Sequence, residues 1–568
     1  MKIQRKFLKT AQVTEDKKIV TKEKKKLKEM HNEEVVKFFQ NKICDINNAS
    51  DSCRHGTAWS VINKITNRKK SATSRLKGSS GVERKGKFFD HFKNLLGKSP
   101  SAAGVQDVQR IVDGTLPIPT TDFTRDELET AIKSLPSGKA CGLDRIPVEV
   151  WKNGCLNEEL LNICNDLLRT GTAPDQWRKS CIIPIPKKGD LGLPSNYRGI
   201  SLTSTAAKIF NKMILLRIRP EIEKVLRKNQ NGFRPGRSTI TQVLSLRRLI
   251  EGITEKQLTA ILLFVDFSKA FDSIHRGTML SILRAYGIPE ILIRSIGALY
   301  HNTTSTVRTP DGDTEFFEVL AGVLQGDTIA PYLLIIVLDY VLRTSIDKNS
   351  ELGFTLLPRR SRRHPATKLT DADFADDLAL LADNDKNAEA LLLLLEAAAD
   401  AVGLQVNYGK TNYMVFSQAN TKITGKNGAE LEAVSDFKYL GSWLASSSTD
   451  LNIRIAQAWS AHNKLDKVWK STLTRNMKIR LFQSLVLSIL LYGAETWTLT
   501  KTLQRKLDGV FTRMLRRTLG LTWEDKVPNR ELYGDIPTLS SEIRQRRLRF
   551  AGHCWRRKDE LCSQILMG

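Results

Sequence analysis

Two adjacent carboxylates, Asp376 and Asp377, stand inside an otherwise apolar run, "LTDADFADDLALLAD" at residues 369–383. Burying one unpaired carboxylate is costly, and burying two neighbours is worse. The pair therefore belongs at the tip of a strand–turn–strand, where something cationic is expected. A second apolar strand, "ILLFVDFSKAFDSI" at 261–274, ends on Asp266, 110 residues before Asp376. A strand-end carboxylate beside a carboxylate pair on another hairpin is what two-metal phosphoryl transfer needs. Two magnesium ions require several oxygen ligands, with water and substrate phosphates completing each octahedron.

The charge balance agrees. Among 568 residues, 88 Lys and Arg stand against 61 Asp and Glu, a formal charge of +27. That surplus points to a polyanionic partner, nucleic acid ahead of a membrane surface. A hydrophobic content of 41% is enough for a sizeable core. The first thirty residues carry eleven Lys or Arg and no apolar stretch follows, so no secretory signal is read. "YLLIIVLDYVL" and "LFQSLVLSILLYG" are too short to span a bilayer, and Asp339 interrupts the first. A soluble, intracellular chain with no membrane contact is expected. The eight cysteines are few and irregularly spaced, which reads as reduced thiols. "CDINNASDSCRH" and "HCWRRKDELC" lack the two tight ligand pairs of a zinc site.

Residues 1–100 read as a Lys-rich helical extension or linker, broken by "KSATSRLKGSSG". From about 120, "TRDELETAIKSLPSGKACGLDRIPVEVWK" begins as an amphipathic helix and turns through Pro136 and Gly138. "SCIIPIPKK" and "AILLFVDFS" read as buried strands. "AEALLLLLEAAADAVG" reads as a helix closed by Gly403. From about 450 the apolar spacing is helical again. The expected architecture is α+β, a mixed sheet with helices packed on it followed by a helical appendage.

"FVDFSKAFDSI", "AGVLQGDTIAPYLL" and "FADDLALLA" resemble, in order and spacing, the three central motifs of reverse transcriptases, above all those of non-LTR (LINE-type) retrotransposons. "GKACGLDRIPVEV", "IPIPKKGDLGLPSNYRGISLTSTAAKIF" and "QNGFRPGRSTITQV" look like that group's finger motifs, and "GLQVNYGKT" and "FKYLGSWL" like its later palm motifs. The resemblance runs from about 120 to 445. It implies a right-hand polymerase of fingers, palm and thumb with an antiparallel palm sheet, then a helical thumb and a basic helical C-terminal region. The implied order is the extension at 1–100, N-terminal extension and fingers at 101–260, palm at 261–445, thumb at 446–525, and a basic segment at 526–568.

The roles implied by the resemblance follow position by position. Asp266, Asp376 and Asp377 would hold two Mg²⁺ ions, with Mn²⁺ as a substitute. Phe271 would lie under the incoming sugar, where its ring would exclude a 2′-hydroxyl by repulsion. Gln325 and Gly326 would line the nucleotide pocket, while Ala330-Pro331 departs from the Ser-Pro of many relatives. Arg198 and Lys187 or Lys188 would grip the triphosphate. Lys410 would protonate departing pyrophosphate or bind phosphate. Tyr439, Leu440 and Gly441 would support the primer end. "RMLRRTLG" and "RQRRLRFAGHCWRR" mix arginines with apolar residues, as suits tracking a nucleic-acid backbone.

The implied activity is RNA-directed DNA synthesis, with an RNA template, a DNA primer or target and deoxynucleoside triphosphates as partners. Such a protein would act in a ribonucleoprotein in nucleus or cytoplasm. Neither end reads as an endonuclease and no ribonuclease H domain is visible, so a fragment of a longer element protein is expected. The alternative is a catalytically inactive RNA/DNA-binding remnant of a retrotransposon.

Overall fold

The computed structural model describes residues 80–98, 108–187, 189–359, 361, 363, 365–416, 421–471 and 473–557, with residues 25, 76, 563 and 565. Lys188, Cys44, Cys53, Cys562 and most of the Lys-rich extension lie outside the described residues. The chain divides into two compact units, one built mainly from Ala72–Ser446 and the other from Ser447–Phe550.

In chain order the main elements of the larger unit are helix α1 (Gly81–Leu96), strands β1 (Lys179–Pro186) and β2 (Tyr197–Leu202), helices α2 (Thr205–Val225) and α3 (Thr239–Glu255), strands β3 (Ala260–Val265) and β4 (Thr304–Thr309), and helix α4 (Ala330–Ser345). Strands β5 (Asp371–Phe374) and β6 (Asp377–Ala382), helix α5 (Asp385–Ala401) and strands β7 (Asn412–Phe416), β8 (Glu432–Ala433), β9 (Lys438–Tyr439) and β10 (Ser442–Trp443) follow.

Five strands form the site-bearing sheet, in the order β8-β7-β3-β6-β5. The ladders from β7 to β5 are antiparallel, and the short edge strand β8 joins β7 in parallel. Strand β3 is apolar throughout because both faces of the sheet are covered. Ile261, Leu263 and Val265 enter one core, while Ala260, Leu262 and Phe264 enter another on the opposite face. Neighbouring β6 alternates likewise, Leu378, Leu380 and Ala382 against Ala379 and Leu381. This is the period-2 rule acting in a sheet sandwiched between layers.

Helix α4 is buried almost end to end, and its Asp339 is fully buried. That acid survives because the Arg227 backbone N–H (2.7 Å), the Tyr286 hydroxyl and the Arg343 guanidinium (2.7 Å) all donate to it. Helix α5 starts at Asn384, whose side chain accepts from the Asn387 N–H, and Gly403 beyond its end takes φ +89°.

A second five-stranded sheet carries β2, β1 and β4, with β1 antiparallel to β2 and parallel to β4. Helix α1 lays Phe88, Phe92 and Leu96 onto it, against Ile182, Tyr197 and Val307. These positions recur every four residues, an apolar stripe inside a Lys-rich stretch.

The smaller unit is helical, including Ser447–Asn463 and Lys501–Leu519. Trp469, Phe482, Trp497 and Phe511 fill its core, which runs past residue 525 to take in Leu532, Leu539 and Ile543. Among the described residues no helix is long and apolar enough to cross a membrane.

Candidate active site

Register brings the predicted acids together. Val265 at the end of β3 pairs with Leu378 in β6, so Asp266 and Asp377 occupy the next position outward on adjacent antiparallel strands. Residues directly opposite in such a ladder have Cα atoms about 4.5–5.5 Å apart. Phe374 pairs with Asp377, which leaves Ala375 and Asp376 as a two-residue turn between β5 and β6. Ala375 takes φ +56°, a left-handed conformation that an alanine rarely adopts.

The three carboxylates feel one another. Burial raises the Asp376 pKa, and the charge of Asp266 adds to it. Partial burial, then the charges of Asp376 and Asp266, push Asp377 up to about 6. Among the described residues neither Asp376 nor Asp377 has a basic ion-pair partner within 4.0 Å. Asp266 differs: Lys410 Nζ lies 3.0 Å from its Oδ2 and Asn407 Nδ2 donates at 3.4 Å. Its backbone is pinned too, its N–H donating to Thr411 Oγ1 (3.3 Å) and its carbonyl accepting from the Asn407 N–H (2.8 Å).

This donor set fits divalent cations. All the ligands are hard oxygens, and their mutual repulsion would be relieved by positive charge. Among the described residues no group of three His, Cys, Asp or Glu side chains is arranged to hold a metal ion by itself, the three acids included. An open carboxylate edge of this kind leaves coordination positions for water and substrate oxygens.

A basic cluster faces the acids. Lys187 and Arg198 are exposed near the tip of the β1–β2 hairpin, and the Lys187 N–H donates to the Asn196 carbonyl (2.8 Å). Desolvation lowers the Lys187 pKa, with further lowering from Arg198, Lys269 and Lys410. Lys269, at φ +52°, is a member that the sequence reading does not single out. Asp272 is another. Burial pushes it up to about 6 against the pull of Lys269, Lys187 and Arg198, and Gln325 Nε2 donates to both its oxygens at 3.3 and 3.4 Å.

Phe271 is half-buried on the main core, its ring edge-on to the half-exposed Phe233 at 6.3 Å between centroids. Gln325 and Gly326 form a loop against β2, where the Ser201 N–H donates to the Gln325 carbonyl (2.7 Å). Gly326 has φ +114°, and a Cβ there would meet the Ser201 carbonyl oxygen at 2.6 Å. Only glycine fits.

The β9–β10 hairpin turns through Leu440 (φ +47°) and Gly441 (φ +88°). Tyr439, ahead of that turn, is buried, and its hydroxyl donates to the Ala372 (3.1 Å) and Asp377 (3.2 Å) carbonyls. Its side chain is therefore a strut beneath the acid-bearing hairpin, and only the turn residues beyond it are partly open.

Comparison with known proteins follows the same stretch of chain. The family model described as reverse transcriptase (RNA-dependent DNA polymerase) matches residues 185–444. The Pol polyprotein of the type-1 retrotransposable element R2 of Popillia japonica is 27% identical over 426 residues, 73% of this chain and 57% of that protein. The protein of transposon BS of Drosophila melanogaster, named as a probable RNA-directed DNA polymerase, is 27% identical over 67% of this chain and 42% of its own length. A transposon-derived protein of Caenorhabditis elegans is 30% identical over 34% of this chain and 73% of its own length. The chain thus spans little more than half of the R2 polyprotein. With the matched region covering the acid-bearing sheet and all three acids, the chain belongs to the reverse transcriptase family, in its non-LTR retrotransposon branch.

Proposed function

We propose that this chain extends a DNA primer on an RNA template, joining deoxynucleotides by in-line attack of the primer 3′-oxygen and release of pyrophosphate. The observation that carries this reading is the β3–β6 register, which sets Asp266 opposite Asp377 with Asp376 in the adjoining turn. In this reading the sheet bearing the acids is the palm, the sheet bearing β1 and β2 belongs to the fingers, and Ser447–Phe550 is the thumb.

Asp266, Asp376 and Asp377 would hold two Mg²⁺ ions, or Mn²⁺ in their place. Bound there, the ions would activate the 3′-hydroxyl and stabilise charge on the leaving pyrophosphate. Lys187, Arg198 and Lys269 supply the positive charge that gathers the triphosphate tail. Lys410, held on Asp266 at 3.0 Å, would lie beside the bound cations, where its ammonium could contact the phosphates. Phe271 closes the space beneath the sugar, and the glycine at 326 lets the backbone approach the nucleotide.

The test is incorporation of dTTP on poly(rA)/oligo(dT) with Mg²⁺ by the purified chain, beside Asp376→Ala/Asp377→Ala. Incorporation that the double change abolishes is expected. Tight duplex binding with no incorporation by the unaltered chain would leave the binding remnant as the correct reading, and a preference for UTP would make it an RNA polymerase.

A further inference from the structure

The turn that presents Asp376 is unfavourable in isolation. Only its first loop residue, Ala375, has positive φ, the pattern of a II′ hairpin turn, which prefers glycine at that position. Two like charges follow it. Something outside the hairpin must hold this geometry.

The "QNGF" stretch at 230–233 provides the hold. Gln230 is fully buried, and its side-chain amide brackets the Ala375 residue. The carbonyl oxygen Oε1 accepts from the Ala375 N–H at 2.7 Å, and Nε2 donates to the Ala375 carbonyl at 3.2 Å. The same Oε1 accepts from the Gly232 N–H at 2.7 Å, which locks the amide orientation. Gly232 touches the turn directly, since a Cβ there would meet the Ala375 nitrogen at 2.2 Å.

The chain around Gln230 also covers the sheet edge. Gln230 bridges Asp373 in parallel, the Asn231 N–H donates to the Asp373 carbonyl (3.0 Å), and the Asp373 N–H donates to the Asn229 carbonyl (3.3 Å). Gln242 from α3 donates to both the Asn229 and Asp373 carbonyls at 2.8 Å. The segment is thereby seated as an extra strand on β5, and Gln230 reaches past its end to the turn.

We propose that Gln230 is a positioning residue for the metal-binding acids: its amide substitutes for the missing glycine at 375, fixing the left-handed turn and so the places of Asp376 and Asp377. This rests on the polymerase reading above. Gln230 never touches nucleotide or metal. Its effect passes through the Ala375 peptide, as an outer partner orients a metal ligand.

The experiment measures Mn²⁺ affinity of the full chain by electron paramagnetic resonance, together with steady-state dTTP incorporation and duplex binding. Gln230→Met is expected to weaken Mn²⁺ binding and lower kcat by about 10- to 100-fold, the range for outer-partner changes. The KM for dTTP and the duplex Kd should stay within about twofold. Adding Ala375→Gly should recover a large part of both losses, because glycine removes the turn's need for outside support.

Unchanged Mn²⁺ affinity in a folded Gln230→Met chain would overturn the proposal. So would a failure of Ala375→Gly to recover anything. If the methionine variant does not fold, Gln230→Asn decides on the same readouts, since the shorter amide keeps the polarity yet cannot reach both Ala375 groups. Absence of Mn²⁺ binding and incorporation in the unaltered chain, matching an Asp376→Asn control, would instead sink the polymerase reading on which this rests.

Discussion

Arg227→Met tests what holds strand β5 from behind. The Arg227 guanidinium reaches Asp371 Oδ1 (2.8 Å), Asp373 Oδ2 (2.9 Å) and Asp347 Oδ1 (2.8 Å). Asp371 and Asp373 are fully buried, whereas the Asp347 side chain is 42% exposed. Burial pushes the Asp371 carboxyl up, but the Arg227 charge, with hydrogen bonds from Asp373, Arg227 and Thr370, holds it below the usual range. Burial, and then the charge of Asp371, pushes the Asp373 carboxyl well above the usual range. Arg227 and Asp371 therefore form one buried charge pair, with Asp347 at the rim. Removing the arginine strands a buried carboxylate, which costs about 3–5 kcal/mol. The rim contact adds at most about 1 kcal/mol. At about 1.4 kcal/mol per tenfold, the combined ~3–6 kcal/mol should make opening of the β5–β6 hairpin roughly 100- to 20,000-fold more frequent. Hydrogen exchange at the β6 amides that bond to β5 reads this directly. In the double variant Arg227→Met/Asp371→Asn no charge remains to be stranded, and part of the protection should return. A loss of protection under tenfold, or a double variant no better than the single, would refute the buried-pair account.

Phe271→Ala should raise ribonucleotide incorporation relative to deoxynucleotide by about tenfold or more, since discrimination by repulsion disappears with the ring; unchanged sugar selectivity in competition assays would exclude Phe271 as the gate. Gly326→Ala puts a methyl against the Ser201 carbonyl at a strained φ, a cost of about 1–3 kcal/mol, so the KM for dTTP should rise about tenfold or more while duplex affinity holds. In the helical unit His462 is fully buried among Trp459, Trp469 and Phe482, and burial, with Arg517 next, lowers its pKa to about 4. Its neutral form is the folded one, so stability is complete above about pH 6.5 and falls as pH drops toward 4, where the unfolded chain binds the extra proton. The loss reaches about 3 kcal/mol at the bottom of that window. His462→Gln keeps a polar group for Thr518, 3.0 Å away, and should flatten this part of the acid limb in urea unfolding.

The sequence exposes the acids of the candidate site and hides the parts that hold them. Asp266, Asp376 and Asp377 are legible because charge at the end of an apolar strand violates local patterning, and each violation is visible within a dozen residues. Strand β3 is legible for the same reason, as an unbroken apolar run that only a sheet covered on both faces tolerates. Helix α1 is half legible: its helical spacing is plain, but its docking through Phe88, Phe92 and Leu96 is masked by surrounding lysines, since composition averages over a stripe three residues long. Arg227 is silent, because its carboxylate partners lie more than a hundred residues away and it breaks no local rule; Gln230 shows only as the first residue of "QNGFRPGRSTITQV", with nothing to tie it to Ala375, 145 residues on. Physics links the two classes. A turn that gathers repelling carboxylates on a left-handed alanine cannot be stable by itself, so the more anomalous the acid-bearing hairpin looks in sequence, the more buried support it demands elsewhere. Tyr439 under the hairpin, Gln230 across its tip and Arg227 behind β5 are three independent answers to that demand. The anomaly at 376 and 377 therefore predicts the existence of such struts, though not their addresses, and a homologous chain with glycine in place of Ala375 should tolerate loss of the Gln230 amide.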